Sequence, residues 1–157
     1  MRLWHKNLLP CLPTQQLISQ WRECCCIGVL LAKNHTPNHI LVNPILDYPP
    51  GHFERYCNLV YQEMTNRGYE LTDKVCKQLE DNLRAWRIYL GEELPWAWNV
   101  RDDNTTFDEV LFDGWHDKKY LRQCYYNLEE KYDRGGIPEK EWDELAKRYV
   151  ILGGAMK

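Results

Sequence analysis

Thr14-Gln15-Gln16-Leu17-Ile18-Ser19-Gln20-Trp21-Arg22-Glu23-Cys24-Cys25 is the stretch that decides the fold class. At about 100° per residue, Leu17, Trp21, Cys24, Cys25 and Gly28 fall on one side of a helix, and Gln16, Ser19, Gln20 and Glu23 on the other, with Arg22 at the edge. Thr14 follows Pro13 and is the expected N-cap, because its hydroxyl can accept from a first-turn backbone N–H that has no intrahelical partner. One amphipathic helix is therefore predicted behind a short arm, Met1-Arg2-Leu3-Trp4-His5. Glu23 belongs to its polar face. Alone, such a carboxylate is an ordinary solvated surface residue. A free α-amine about twenty residues upstream adds a second chemical group, and the pair suits amine-type nucleophilic chemistry.

Further along, Pro and Gly punctuate helical patterns. Tyr48-Pro49-Pro50-Gly51 leads into a helix over 52–67 with Phe53, Tyr56, Cys57, Val60 and Met64 inward, stopped by Gly68. Thr72 is expected to cap a third helix whose inner stripe is Val75, Cys76, Leu79, Leu83, Trp86 and Leu90, ending at Gly91. The pattern then breaks over 92–115 into a long ordered loop, since Trp96, Trp98, Phe107 and Trp115 are too apolar to stay solvated. Asp117 caps a fourth helix with Tyr120, Leu121, Cys124, Leu128 and Tyr132 inward, closed by Gly135-Gly136. Pro138, at a first helical position, starts a fifth that buries Trp142, Leu145 and Tyr149. No alternating strand pattern, repeat or low-complexity tract interrupts this. The expectation is an all-α, single-domain bundle of about five helices with long irregular connections.

At 157 residues one core spanning 1–157 is expected, and 44% hydrophobic with 27% charged residues describes a soluble globular protein. No apolar run reaches the roughly 20 residues of a membrane span, and the N-terminus lacks a signal-peptide core, so a cytoplasmic location without membrane association is expected. Seven cysteines without CxxC spacing suit reduced thiols. A net charge of −3 argues against a strongly basic nucleic-acid binder. The charge is uneven: residues 1–60 hold five Lys or Arg against three acids, which leaves the remainder at −5. A modest positive face that includes Lys33 is thus compatible with weak, salt-sensitive DNA binding.

The N-terminal run resembles the pyrimidine-dimer DNA glycosylases of the phage endonuclease V class, and more closely their bacterial relatives that open with Met-Arg-Leu-Trp. The matching residues are Met1 to Trp4, then Leu12, Pro13, Gln15, Gln16, Leu17, Gln20, Arg22, Glu23, Cys24 and Cys25. Gly51-His52 and Asn66-Arg67-Gly68-Tyr69 add a weaker match. The resemblance covers roughly residues 1–75 as a catalytic part and leaves 76–157 as an unassigned helical extension completing the core.

The resemblance implies a DNA glycosylase with AP-lyase activity acting on double-stranded DNA that carries pyrimidine dimers or related damaged bases. The terminal amine would be the Schiff-base nucleophile and Glu23 the acid/base residue. An α-amine with the ordinary pKa of about 7.7 is roughly one-sixth neutral at pH 7, whereas a lysine amine near 10.4 is almost wholly protonated. Because the bulky Arg2 blocks removal of the initiator, the amine is expected on Met1 rather than on Arg2. Arg22 would meet a backbone phosphate, with Gln15, Gln16, Lys33 and His52 as further DNA contacts. No cofactor is implied. Two family positions differ here: Gln16 stands where phage members carry His, and Cys26 where they carry a second Arg.

Other constellations favour structural roles. Adjacent helical cysteines point about 100° apart, so Cys24-Cys25-Cys26 cannot converge on a metal ion. Thr36-Pro37-Asn38 makes a turn between His35 and His39, and no metal site is expected there. The Tyr125-Tyr126 stretch among Lys118, Lys119, Arg122 and Lys131 is interrupted by Glu129 and Glu130, as a solvated helix face would be. A non-catalytic helical module that keeps the fold, binding nucleic acid or docking a protein through its acidic C-terminal half, is the alternative to an enzyme. A monomer is expected.

Overall fold

Leu17, Trp21, Cys24, Ile27, Gly28 and Leu31 form one buried stripe along the first long helix, α1 (Thr14–Asn34), and the rest of the fold is arranged around it. The computed structural model describes residues 1–92 and 105–154. After α1 come α2 (Pro50–Asn66), α3 (Asp73–Tyr89), the short α4 (Thr105–Val110), α5 (Lys118–Asp133) and α6 (Glu139–Ile151). Two 3₁₀ segments, Lys6–Cys11 and Asn43–Asp47, were not anticipated by the periodicity. No strand occurs among the described residues, so the all-α expectation holds, and none of their helices is long and apolar enough to cross a membrane. Trp96 and Trp98 lie outside the described residues. Within the predicted loop over 92–115, residues 105–110 are helical.

The long helix α1 packs on both α2 and α3, α5 packs on α6, and the Lys6–Cys11 segment bridges α2 and α6. Gly28 permits the α1–α3 approach, because a Cβ there would stand 2.7 Å from Leu79 Cδ1. Phe53, Tyr56, Cys57, Val60 and Met64 are buried from α2, as their spacing predicts, and Leu79, Leu83 and Trp86 from α3. Leu90 departs from expectation: it follows the last turn of α3 and is 44% exposed, since the stripe ends with the helix at Tyr89. A buried ion pair joins α2 to α3, with Arg87 donating to Glu54 through Nε at 2.9 Å and Nη2 at 2.5 Å.

Caps are local at two helices and remote at a third. Thr72 accepts from the Val75 N–H and Asp117 from the Tyr120 N–H, both as expected. Thr14 is instead the first residue of α1 and caps nothing; Pro13 occupies the cap position without a side-chain bond. The acceptor comes from α6. Glu141 Oε1 accepts from the Thr14 N–H at 2.7 Å and from its hydroxyl at 2.5 Å, putting a carboxylate at the positive end of the α1 dipole. Pro138 likewise sits one position before α6 rather than inside it.

Candidate active site

The arm Met1–His5 does not hang free. Leu3 and Trp4 are buried, so leaving them in water would forfeit roughly 2–3 kcal/mol per side chain. They draw the first residues across the polar face of α1, and that covering explains a departure from the helical-wheel expectation. Gln20, assigned to the solvated side, is fully buried because the arm lies on it.

Gln20 then meets the polar atoms of the covering backbone. Its Oε1 accepts from the Trp4 N–H at 2.7 Å, and its Nε2 donates to the Arg2 carbonyl at 3.0 Å. Both contacts fix the orientation of the amide, since the reverse would oppose donor to donor and acceptor to acceptor. The Tyr56 hydroxyl donates to the Trp4 carbonyl at 2.6 Å and stands 3.0 Å from Gln20 Oε1. On the other flank, the Tyr120 hydroxyl donates to the Leu3 carbonyl at 2.5 Å. Burial raises both phenols well above their ordinary range, so each stays a donor throughout the accessible pH range.

With the arm fixed, the chain's first nitrogen is set beside Glu23. Met1 N lies 4.0 Å from Glu23 Oε1, and the Arg2 N–H donates to Oε2 at 3.2 Å. Gln20 Nε2 is 3.5 Å from the same Oε2. The Glu23 side chain remains 30% exposed and Met1 23%, so a large external substrate can reach both. The Arg2 guanidinium lies over the Trp4 ring, 5.4 Å from its centroid. The arrangement joins the terminal nitrogen, a single carboxylate whose two oxygens face that nitrogen and the Arg2 N–H, and an open approach. It can hold a proton near an amine that is forming or breaking a bond to carbon.

The arm is also tied to the segment before α5. His5 Nδ1 accepts from the Asn7 N–H at 3.1 Å, so its proton is on Nε2, which donates to the His116 carbonyl at 2.9 Å. His116 Nδ1 accepts in turn from the Lys6 N–H at 3.0 Å. Lys6 Nζ donates to the carbonyls of Asp108, Glu109 and Leu111. Burial pushes the His5 pKa down to about 4, with the nearby Lys6 charge adding to the effect. His116 is held well below its ordinary value, first by burial and then by the charges of His5 and Lys6.

Of the residues singled out from sequence, Met1, Arg2 and Glu23 are brought together. Arg22 and Gln15 are exposed on the same helix, and Gln16 is half-buried with a buried Oε1 that has no protein partner. Lys33 is exposed ten residues beyond Glu23, about 15 Å along the axis of α1. His52 is half-buried: its Nδ1 accepts from the Phe112 N–H at 3.0 Å and its ring packs among Tyr48, Phe107 and Phe112. Burial lowers its pKa. Cys24 is buried, Cys25 half-buried and Cys26 exposed, and no group of three or more metal-ligating side chains converges among the described residues.

Sequence periodicity missed Gln20, Tyr56 and Tyr120 as polar anchors. An arm carrying Leu3 and Trp4, too apolar for water, was the available sign that some polar face must be covered. Residues 1–77 match the model of a protein family described as pyrimidine dimer DNA glycosylase. No curated protein and no solved structure matches the chain.

Proposed function

From the match of residues 1–77 to the pyrimidine dimer DNA glycosylase family, we propose that the chain is a member of it, that it excises damaged bases from duplex DNA with the Met1 amine as nucleophile, and that it then cleaves the strand as an AP lyase. The observation that carries this reading is the 4.0 Å separation between Met1 N and Glu23 Oε1 in a partly open site.

In the proposed sequence, the neutral amine attacks C1′ of the damaged nucleotide, and its nitrogen–carbon bond forms as the glycosidic bond to the base breaks. The departing base carries away the bonding pair and is protonated. One of the two amine protons goes to that base, and delivery of a proton to O4′ opens the C1′–O4′ bond and leaves the nitrogen as a protonated iminium. Removal of a C2′ proton then expels the 3′ phosphate by β-elimination. Glu23 suits two of these demands: its negative charge offsets the cationic sugar and iminium, and its carboxylate relays protons between nitrogen, O4′ and C2′. A damaged base is reached by extruding a nucleotide from the stack, which the exposure of Met1 and Glu23 accommodates. Arg22, exposed beside Glu23, is assigned to a backbone phosphate.

Borohydride trapping tests the proposal. Untagged protein, with Met1 verified as its first residue by mass spectrometry, is incubated with duplex containing a pyrimidine dimer or an abasic site. A covalent adduct mapped to Met1 is expected, and it should vanish when residues are added ahead of Met1. No adduct, or one mapped to a lysine, rejects the mechanism.

A further inference from the structure

We infer that Tyr120, which lies outside the family-matched residues 1–77, is a positioning residue for the Met1 amine, and that residues 108–120 complete the site by clamping the arm. This rests on the glycosylase reading above.

Three separate ties join the arm to that region, each across more than a hundred residues. Tyr120 donates to the Leu3 carbonyl, His5 Nε2 and the Lys6 N–H donate to His116, and Lys6 Nζ gathers the carbonyls at 108, 109 and 111. The last two hold the root of the arm. The Tyr120 bond acts ahead of Trp4 from this side, two residues from the amine. Opposite it, Gln20 holds the Arg2 carbonyl and the Trp4 N–H. The peptide planes on both sides of Leu3 are thus fixed from two directions, α1 and α5.

One residue of extended chain spans about 3.8 Å, so a shift of the arm by a single step would carry the amine out of reach of the carboxylate. Proximity of this kind is worth orders of magnitude in rate, and it is lost with small displacements. Leu3 is fully buried, and without the phenol its carbonyl lacks that partner unless the arm lifts toward water. The Arg2 guanidinium lies beside the same phenol and the Cys124 thiol, so the Arg2 side chain also meets α5.

Tyr120→Phe keeps the ring and removes the hydroxyl. The full chain is assayed by single-turnover borohydride trapping at saturating abasic duplex, by affinity for a duplex with a reduced, unreactive abasic analogue, and by hydrogen exchange at the Arg2 and Trp4 amides. Expected are adduct formation slowed roughly tenfold, affinity unchanged within about twofold, and amide exchange roughly tenfold faster. Tyr149→Phe, which takes a hydroxyl from a buried ring stacked on Tyr125 instead, should leave all three unaltered. A wild type that traps alongside a Tyr120→Phe that traps equally fast overturns the positioning role and leaves the glycosylase reading standing. A wild type that never traps overturns the glycosylase reading; the clamp is then decided by exchange alone, and unaltered protection at Trp4 rejects it.

Discussion

Gln20 holds Arg2 in place from the same helix that carries Glu23: its Nε2 donates to the Arg2 carbonyl at 3.0 Å, one turn before the carboxylate that accepts the Arg2 N–H. The amide therefore fixes the first residues of the arm and the carboxylate on one rigid element, which is how a site retains geometry without large ordering costs at the moment of reaction.

Gln20→Leu should test that coupling directly. The change removes the acceptor for the buried Trp4 N–H and the donor to the Arg2 carbonyl, at a cost of about 2–4 kcal/mol in unfolding free energy, measured by urea denaturation. Trapping should fall with it even under conditions where the variant is folded. Full stability would mean that water replaces the amide at no cost.

Glu23→Gln separates chemistry from fold. Glutamine can still accept from the Arg2 N–H, so the melting temperature should change little, whereas loss of the proposed proton relay should slow adduct formation and strand cleavage by about 10²–10⁴-fold. An undiminished adduct would remove Glu23 from the mechanism.

Acid should loosen the arm before it unfolds the remainder. Folded His5 is neutral, with its pKa moved from 6.5 to about 4, and His116 is displaced the same way. The unfolded chain takes up protons on both groups near pH 6.5, so below that value it binds more protons than the folded state. Their contribution to stability is complete above about pH 6.5 and is lost as pH falls toward about 4. Urea midpoints followed by tryptophan fluorescence should decline across this window, and His5→Asn should flatten the decline. An identical slope in the variant would assign the effect to carboxylates alone.

The buried pair between α2 and α3 makes a contrasting prediction, because its partners are far from water. Arg87→Met leaves Glu54, fully buried, without that guanidinium and should cost about 3–5 kcal/mol. Adding Glu54→Leu should restore part of the loss. Thermal denaturation of the single and double variants measures both, and a double variant no more stable than Arg87→Met would contradict this account.

Local patterns in the chain determined a good deal. The 3.6-residue spacing of Leu17, Trp21 and Cys24, of Phe53 through Met64, and of Tyr120 through Leu128 marked the long helices and their inward faces, because each helix must bury one stripe. Thr72 and Asp117 were legible as caps, since their partners are three residues away. Met1, Arg2 and Glu23 were named together from the family-like run, although no spacing rule could say that they meet. Tertiary structure alone decided the rest. Periodicity treats one helix at a time and cannot know that an arm will cover the face bearing Gln20, that Glu141 rather than Thr14 will cap α1, or that Tyr120 will reach Leu3 across 117 positions. Those contacts follow from burying Leu3 and Trp4: once the arm is drawn out of water, every backbone group it carries must find a partner, and the nearest ones lie on helices remote in sequence.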